Sequence, residues 1–112
     1  MGEERRAYTR YTVHWQARID ADGPQSCTFV IRDFCQGGLF LEPADGNARE
    51  WLASTATRGQ RCTVQFRDPR SQAPIQVEGG VARISDQGLG FAFAEPRREV
   101  LQALFAATRQ QE

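Results

Sequence analysis

The residues best equipped for chemistry are arginines at the start of the chain and a glycine-flanked acidic stretch after them. Arg5, Arg6 and Arg10 cluster before the first apolar alternation, and Asp33-Phe34-Cys35-Gln36-Gly37-Gly38 follows about two dozen residues later. Two arginines four apart, in a polar loop able to fold back, present several forked donors that fit phosphate oxygens and the O6/N7 edge of guanine. Gly37-Gly38 supplies backbone freedom and removes Cβ atoms that would block a close ligand. Asp33 has a purely structural reading too, a glycine turn in which its carboxylate bonds its own backbone.

Other chemistries find little support. The single histidine, His14, falls on the outward face of a strand pattern. Cys27, Cys35 and Cys62 are odd in number and widely spaced, with no Cys-x-x-Cys pair, which argues against a disulfide framework and a zinc site and for reduced thiols. There is no Gly-x-Ser-x-Gly elbow, no Walker loop and no carboxylate pair at strand or helix spacing, so the reading is a binding protein, not an enzyme.

Fourteen basic residues balance fourteen acidic ones, so any anion site must be local, and no whole-protein field draws in nucleic acid or an anionic membrane. A single-strand nucleic-acid binder would want a basic groove interleaved with exposed aromatics, and the aromatics here face inward. No apolar run approaches the roughly 20 residues that span a bilayer, and the first residues lack the apolar stretch of a secretory signal. The expected location is the cytoplasm, without membrane insertion.

The elements that must position these residues are mostly strands. With 112 residues, 40% hydrophobic and 25% charged, the chain fits one soluble domain with a single core. Residues 1–10 carry no usable period and read as a flexible arginine-bearing segment; residues 11–112 read as the folded domain, complete or part of a longer chain. From Tyr11 to Ile19 apolar residues alternate, with Tyr11, Val13, Trp15, Ala17 and Ile19 on one face. Ala21-Asp22-Gly23-Pro24 signals a turn into a second strand over about 26–32, ending where Asp33 begins.

Leu39-Phe40-Leu41 resumes a strand, and residues 43–58 read as a long connection holding one short helical turn. Alternation returns over 60–67, a proline-bounded polar loop covers 68–74, and a long strand runs through Ile75, Val77, Val81 and Ile84 with a bulge or bend expected at Gly79-Gly80. Asp86-Gln87-Gly88 turns into the last strand, Leu89–Phe93. Pro96 opens a helix whose Val100, Leu101, Leu104 and Phe105 form an apolar stripe. Six strands with short turns and one terminal helix predict a small antiparallel β-barrel, closed to protect its edges.

The ordered set of motifs resembles the PilZ domain family over roughly residues 5–105. Arg6 and Arg10 match an Arg-x-x-x-Arg pattern, and Asp33 and Gly38 match Asp/Asn-x-Ser-x-x-Gly, with Cys35 standing where the family carries Ser. Gly37-Gly38-Leu39-Phe40-Leu41, residues 77–83 and Gly88-Leu89-Gly90-Phe91 follow the same pattern in the same order.

The resemblance implies a six-stranded PilZ-type barrel with a C-terminal helix, and a receptor for the bacterial second messenger cyclic di-GMP. Carried over, Arg6 and Arg10 would contact phosphates and guanine edges, Asp33 would accept from guanine N1/N2 donors, and Gly38 would permit close approach. Arg5 resembles an additional arginine that stacks on guanine to hold a nucleotide dimer, and Arg83 falls near a strand position that contacts ligand in some relatives. Such a module acts on a partner protein or an adjacent domain, in processes such as motility or biofilm formation. The alternative is a PilZ-like adaptor in motility or pilus assembly that binds no nucleotide. No cofactor is implied beyond the ligand.

Overall fold

The computed structural model describes residues 9–20, 27–95 and 97–110. Arg5, Arg6, the predicted turn within 21–26 and Pro96 lie outside the described residues. The elements run β1 (Tyr11–Asp20), β2 (Cys27–Cys35), β3 (Gly38–Pro43), α1 (Gly46–Ser54), β4 (Arg61–Arg67), β5 (Pro74–Ser85), β6 (Gly88–Phe93) and α2 (Arg98–Gln110). The strands close into an antiparallel barrel in the order β1-β2-β3-β6-β5-β4, with β4 returning to β1. This is the predicted architecture, and closure removes most of the unpaired backbone that an open sheet would expose at its edges.

Alternation decides what lies inside. In β4, Cys62, Val64 and Phe66 are buried while Arg61 and Arg67 are exposed. In β1, Val13, Ala17 and Ile19 are buried, Trp15 is half-buried, and Tyr11 at the strand's start is 40% exposed. Phe29, Ile31, Phe34, Leu41, Leu89 and Phe91 fill the interior, all at 2% exposure or less. Each such side chain contributes about 1.5–3 kcal/mol of transfer free energy. Helix α2 lays Val100, Ala103, Leu104 and Ala107 against this core. Its Phe105 meets Tyr11 and Phe34 with ring centroids 4.8 and 5.1 Å apart, tying the helix to the start of β1.

Four expectations are corrected. First, β2 does not stop before Asp33 but runs through Cys35, so the acidic stretch is strand followed by a two-residue turn at Gln36-Gly37, with Cys35 opposite Gly38. Second, the single helical turn expected within 43–58 is the nine-residue helix α1. Asp45 caps it by accepting from the Ala48 N–H at 2.8 Å, and Ala48 and Leu52 bury its inner face. Third, Gly79-Gly80 pair regularly with β4, and the β5 irregularity lies between Val81 and Arg83. Gly79 is instead required by close packing, since a Cβ there would overlap the Ala92 carbonyl oxygen. Fourth, α2 begins at Arg98, after the position where Pro96 was expected to open it.

Candidate functional site

Asp33 is held in β2 with Thr12 of β1 on one side and Phe40 of β3 on the other. Its neighbour Phe34 is fully buried, so strand alternation turns Asp33 and Cys35 outward together. Arg10, immediately before β1, reaches across that strand's start and donates from Nη2 to Asp33 Oδ1 at 2.6 Å. Of the three N-terminal arginines named from sequence, Arg10 is the one within the described residues, and the fold brings it to Asp33.

The pair is partly solvated, with side-chain exposures of 54% for Arg10 and 29% for Asp33. An exposed ion pair of this kind is worth about 0–1 kcal/mol. It therefore keeps both groups oriented at the barrel surface without committing much free energy to their union. A ligand offering an anion to the guanidinium and N–H donors to the carboxylate competes with it at small cost.

Arg83 is placed on the same surface but not in the same cluster. Cross-strand partners run Thr12 to Asp33, Asp33 to Phe40, Phe40 to Gly90 and Gly90 to Arg83. These five residues form one row across five strands, none of them in the buried core. Adjacent strands lie about 4.8 Å apart, so three spacings put Arg83 about 14 Å from Asp33 along the surface. Between them Gly90 leaves the sheet bare, and a Cβ there would sit 3.6 Å from the Arg83 Cβ and 4.0 Å from its Nε. The stem of Arg83 thus leans over β6, toward the gap.

Phe40 is the residue that sequence reading missed here. In sequence it reads only as part of an apolar strand, yet it is half-exposed between Asp33 and Gly90, with its ring edge over Gly88. The signal was present in the alternation of Leu39-Phe40-Leu41, because the two buried leucines force Phe40 to the opposite face. A half-exposed aromatic between a carboxylate and an arginine offers a flat apolar surface for a planar ring.

Cys35 is half-buried at the end of β2 and opposite Gly38. Gly38 has a structural duty: a Cβ added there would overlap the Phe91 carbonyl oxygen and lie 3.1 and 3.2 Å from Phe91 C and Ala92 Cα. The glycine lets β3 approach β6, which fixes the hairpin that carries Asp33 and Cys35. The two other thiols are buried. Burial pushes Cys62 up to about 11, and burial, followed by the negative charge of Asp45, raises Cys27. Among the described residues no cluster of three or more His, Cys, Asp or Glu side chains is arranged to hold a metal ion.

The family model of the PilZ domain matches residues 4–110. Among solved structures, the PilZ domain of YcgR from Escherichia coli with cyclic di-GMP is similar at a TM-score of 0.71 and 16% identity, covering 96% of this chain and 94% of that one. The inhibitor of motility MotI/DgrA from Bacillus subtilis gives 0.65 at 22% identity, and this chain spans 51% of its length against 96% of its own. The PilZ domain of CeSA from a cellulose-synthesizing bacterium gives 0.64 at 10% identity, covering 92% and 97%. No curated protein matches the chain by sequence.

Proposed function

The chain belongs to the PilZ domain family, and from that premise we propose that it is a receptor module for cyclic di-GMP. The observation that carries the reading is the Arg10–Asp33 pair on the outside of β1 and β2, 2.6 Å apart and partly solvated, with Asp33 in a surface row that ends in Arg83. YcgR, one of the similar structures, holds cyclic di-GMP in its PilZ domain.

In this reading Arg10 and Arg6 take phosphate oxygens and guanine edges, and Asp33 exchanges its ion pair for the N1/N2 donors of a guanine. Phe40 and the bare backbone at Gly90 provide the floor beside it. Arg83 bounds the far side, and Arg5 stacks on a guanine to hold a second nucleotide. Gly38 holds the hairpin close and Cys35 lines it, a thiol in place of a better hydrogen-bonding hydroxyl. Each guanidinium contact to phosphate or guanine is worth about 1–3 kcal/mol, more than the surface ion pair it replaces, so the exchange favours the ligand. Residues 1–10 act as the arginine-bearing segment and 11–112 as the barrel domain, and capture of the segment changes the surface presented to a partner protein or adjacent domain in the cytoplasm.

Cys35 favours a second reading, an adaptor in motility or pilus assembly that binds no nucleotide. Backbone amide shifts on titration with cyclic di-GMP separate the two. The receptor reading predicts saturable shifts concentrated at Thr12, Asp33, Cys35, Phe40, Gly90 and Arg83, with GTP inactive. Absence of shifts at high nucleotide transfers the assignment to the adaptor.

A further inference from the structure

The barrel seam between β1 and β4 is incompletely closed. These strands pair only from Arg18 opposite Gln65 to Asp20 opposite Thr63. Yet β1 pairs with β2 back to Tyr11, and β4 pairs with β5 forward to Arg67. Among the described residues, Trp15, Gln16 and Ala17 of β1 therefore have a strand partner on one side only, as do Phe66 and Arg67 of β4. The parting leaves a groove of about 460 Å³ lined by Trp15, Gln16, Arg18, Gln65, Arg67 and Gln72, among others.

Three features make this more than a loose seam. Trp15 bridges it by donating its indole N–H to the Arg67 carbonyl at 2.9 Å, so one free acceptor of β4 is satisfied, while among the described residues the β1 edge at Trp15–Ala17 has no strand beside it on this side. Gln72 of the lining belongs to a pinned loop in which Asp68 accepts from the Arg70 backbone N–H, Nε and Nη2, and Gln72 is held at a φ of 66° with its carbonyl accepting from Arg67 Nη1. Finally, the lining includes Arg18 and Arg67 and no carboxylate, and among the described residues neither arginine has an ion-pair partner. Both arginines are exposed, whereas Phe66 and Ala17 are buried and Trp15 is half-buried at the groove floor.

From these observations we infer that the β1–β4 seam is a docking site for an extended segment of a partner protein that alternates acidic and apolar residues and adds as a strand to the β1 edge. An unpaired strand edge supplies main-chain hydrogen bonds to such a segment, and side chains at alternate positions supply specificity. Carboxylates on its outer face meet Arg18 and Arg67, while its apolar residues face Trp15. A segment of about four residues alongside Trp15 and Gln16 spans about 13 Å, a length suited to a short linear motif. The groove lies on the β4 side of β1 and the Arg10–Asp33 pair on the β2 side, so this docking does not depend on the nucleotide reading.

The test is an amide-shift titration of the whole chain with a short end-blocked peptide alternating glutamate and valine. Its controls are a lysine–valine peptide and a backbone N-methylated glutamate–valine peptide. The inference predicts saturable shifts at residues 15–18 and 65–67 for the first peptide alone, and about tenfold weaker binding in Arg18→Glu, which leaves the Asp68–Gln72 loop untouched. Equal shifts from the lysine peptide or from the N-methylated one would overturn it, as would no shift at millimolar peptide. Concentration-dependent shifts at these residues without peptide would assign the seam to a second copy of the chain and also overturn it.

Discussion

Replacing Gly38 by alanine tests whether the glycine of the Asp33–Gly38 stretch serves the barrel. The added methyl overlaps the Phe91 carbonyl oxygen and crowds Phe91 C and Ala92 Cα at 3.1 and 3.2 Å. All three are backbone atoms of β6, which is paired on its other side with β5 from Gly79 to Ser85, so the strand cannot retreat without disturbing that ladder. Overpacking of a tight site costs about 1–3 kcal/mol, and rigid backbone on the receiving side argues for the upper part of that range. At about 4–8 °C per kcal/mol for a domain near this size, the melting temperature should fall by about 8 °C or more. Gly46→Ala is the control: among the described residues nothing lies within 4 Å of a Cβ there, and it opens helix α1, so it should leave stability unchanged or raise it by up to about 1 kcal/mol. Thermal melts by circular dichroism decide. A Gly38→Ala protein that melts with the wild type would refute the packing argument and leave Gly38 with a ligand role alone.

Three further outcomes follow from particular contacts. Hydrogen bonds from Arg70 lower Asp68 from 3.8 to about 2, so its stabilising effect is complete above about pH 4 and is lost as pH falls toward 2; acid titration of stability should be flatter in Asp68→Asn over that window. Leu104→Ala, at a position with 0% exposure where α2 meets the barrel, should cost about 2–5 kcal/mol in denaturant unfolding, and a loss below about 1 would show α2 to be loosely seated. Native-state alkylation near neutral pH, read by mass spectrometry, should modify half-buried Cys35 well before Cys62, whose thiol is buried and pushed up to about 11; equal rates would contradict the burial.

Much of the barrel was legible because its strands alternate cleanly. In β4 the alternation of Cys62, Val64 and Phe66 with arginines and polar residues matches the burial residue by residue, and the stripe of Val100 and Leu104 places α2 on the core. Helix α1 was hidden because its polar face dominates and only Ala48 and Leu52 are buried; its visible signal was Asp45 three residues before Ala48, an N-cap. A glycine pair inside a strand pattern signals a bulge, but what Gly79 meets here is a need for space against Ala92. The incomplete β1–β4 seam had no sequence signal, since closure depends on register between strands far apart in the chain, such as Arg18 against Gln65. At the candidate site, sequence named Arg10, Asp33 and Arg83 individually, but only the strand registers reveal that Phe40 and Gly90 lie between them.

The most direct test of the receptor reading is calorimetric titration of cyclic di-GMP into the wild type, Arg10→Ala and Asp33→Ala, with GTP as the control ligand. The account predicts saturable binding by the wild type and a loss of about one to two decades in affinity, from contacts of about 1–3 kcal/mol each, in both variants. No heat with the wild type, or affinity indifferent to both substitutions, would contradict it.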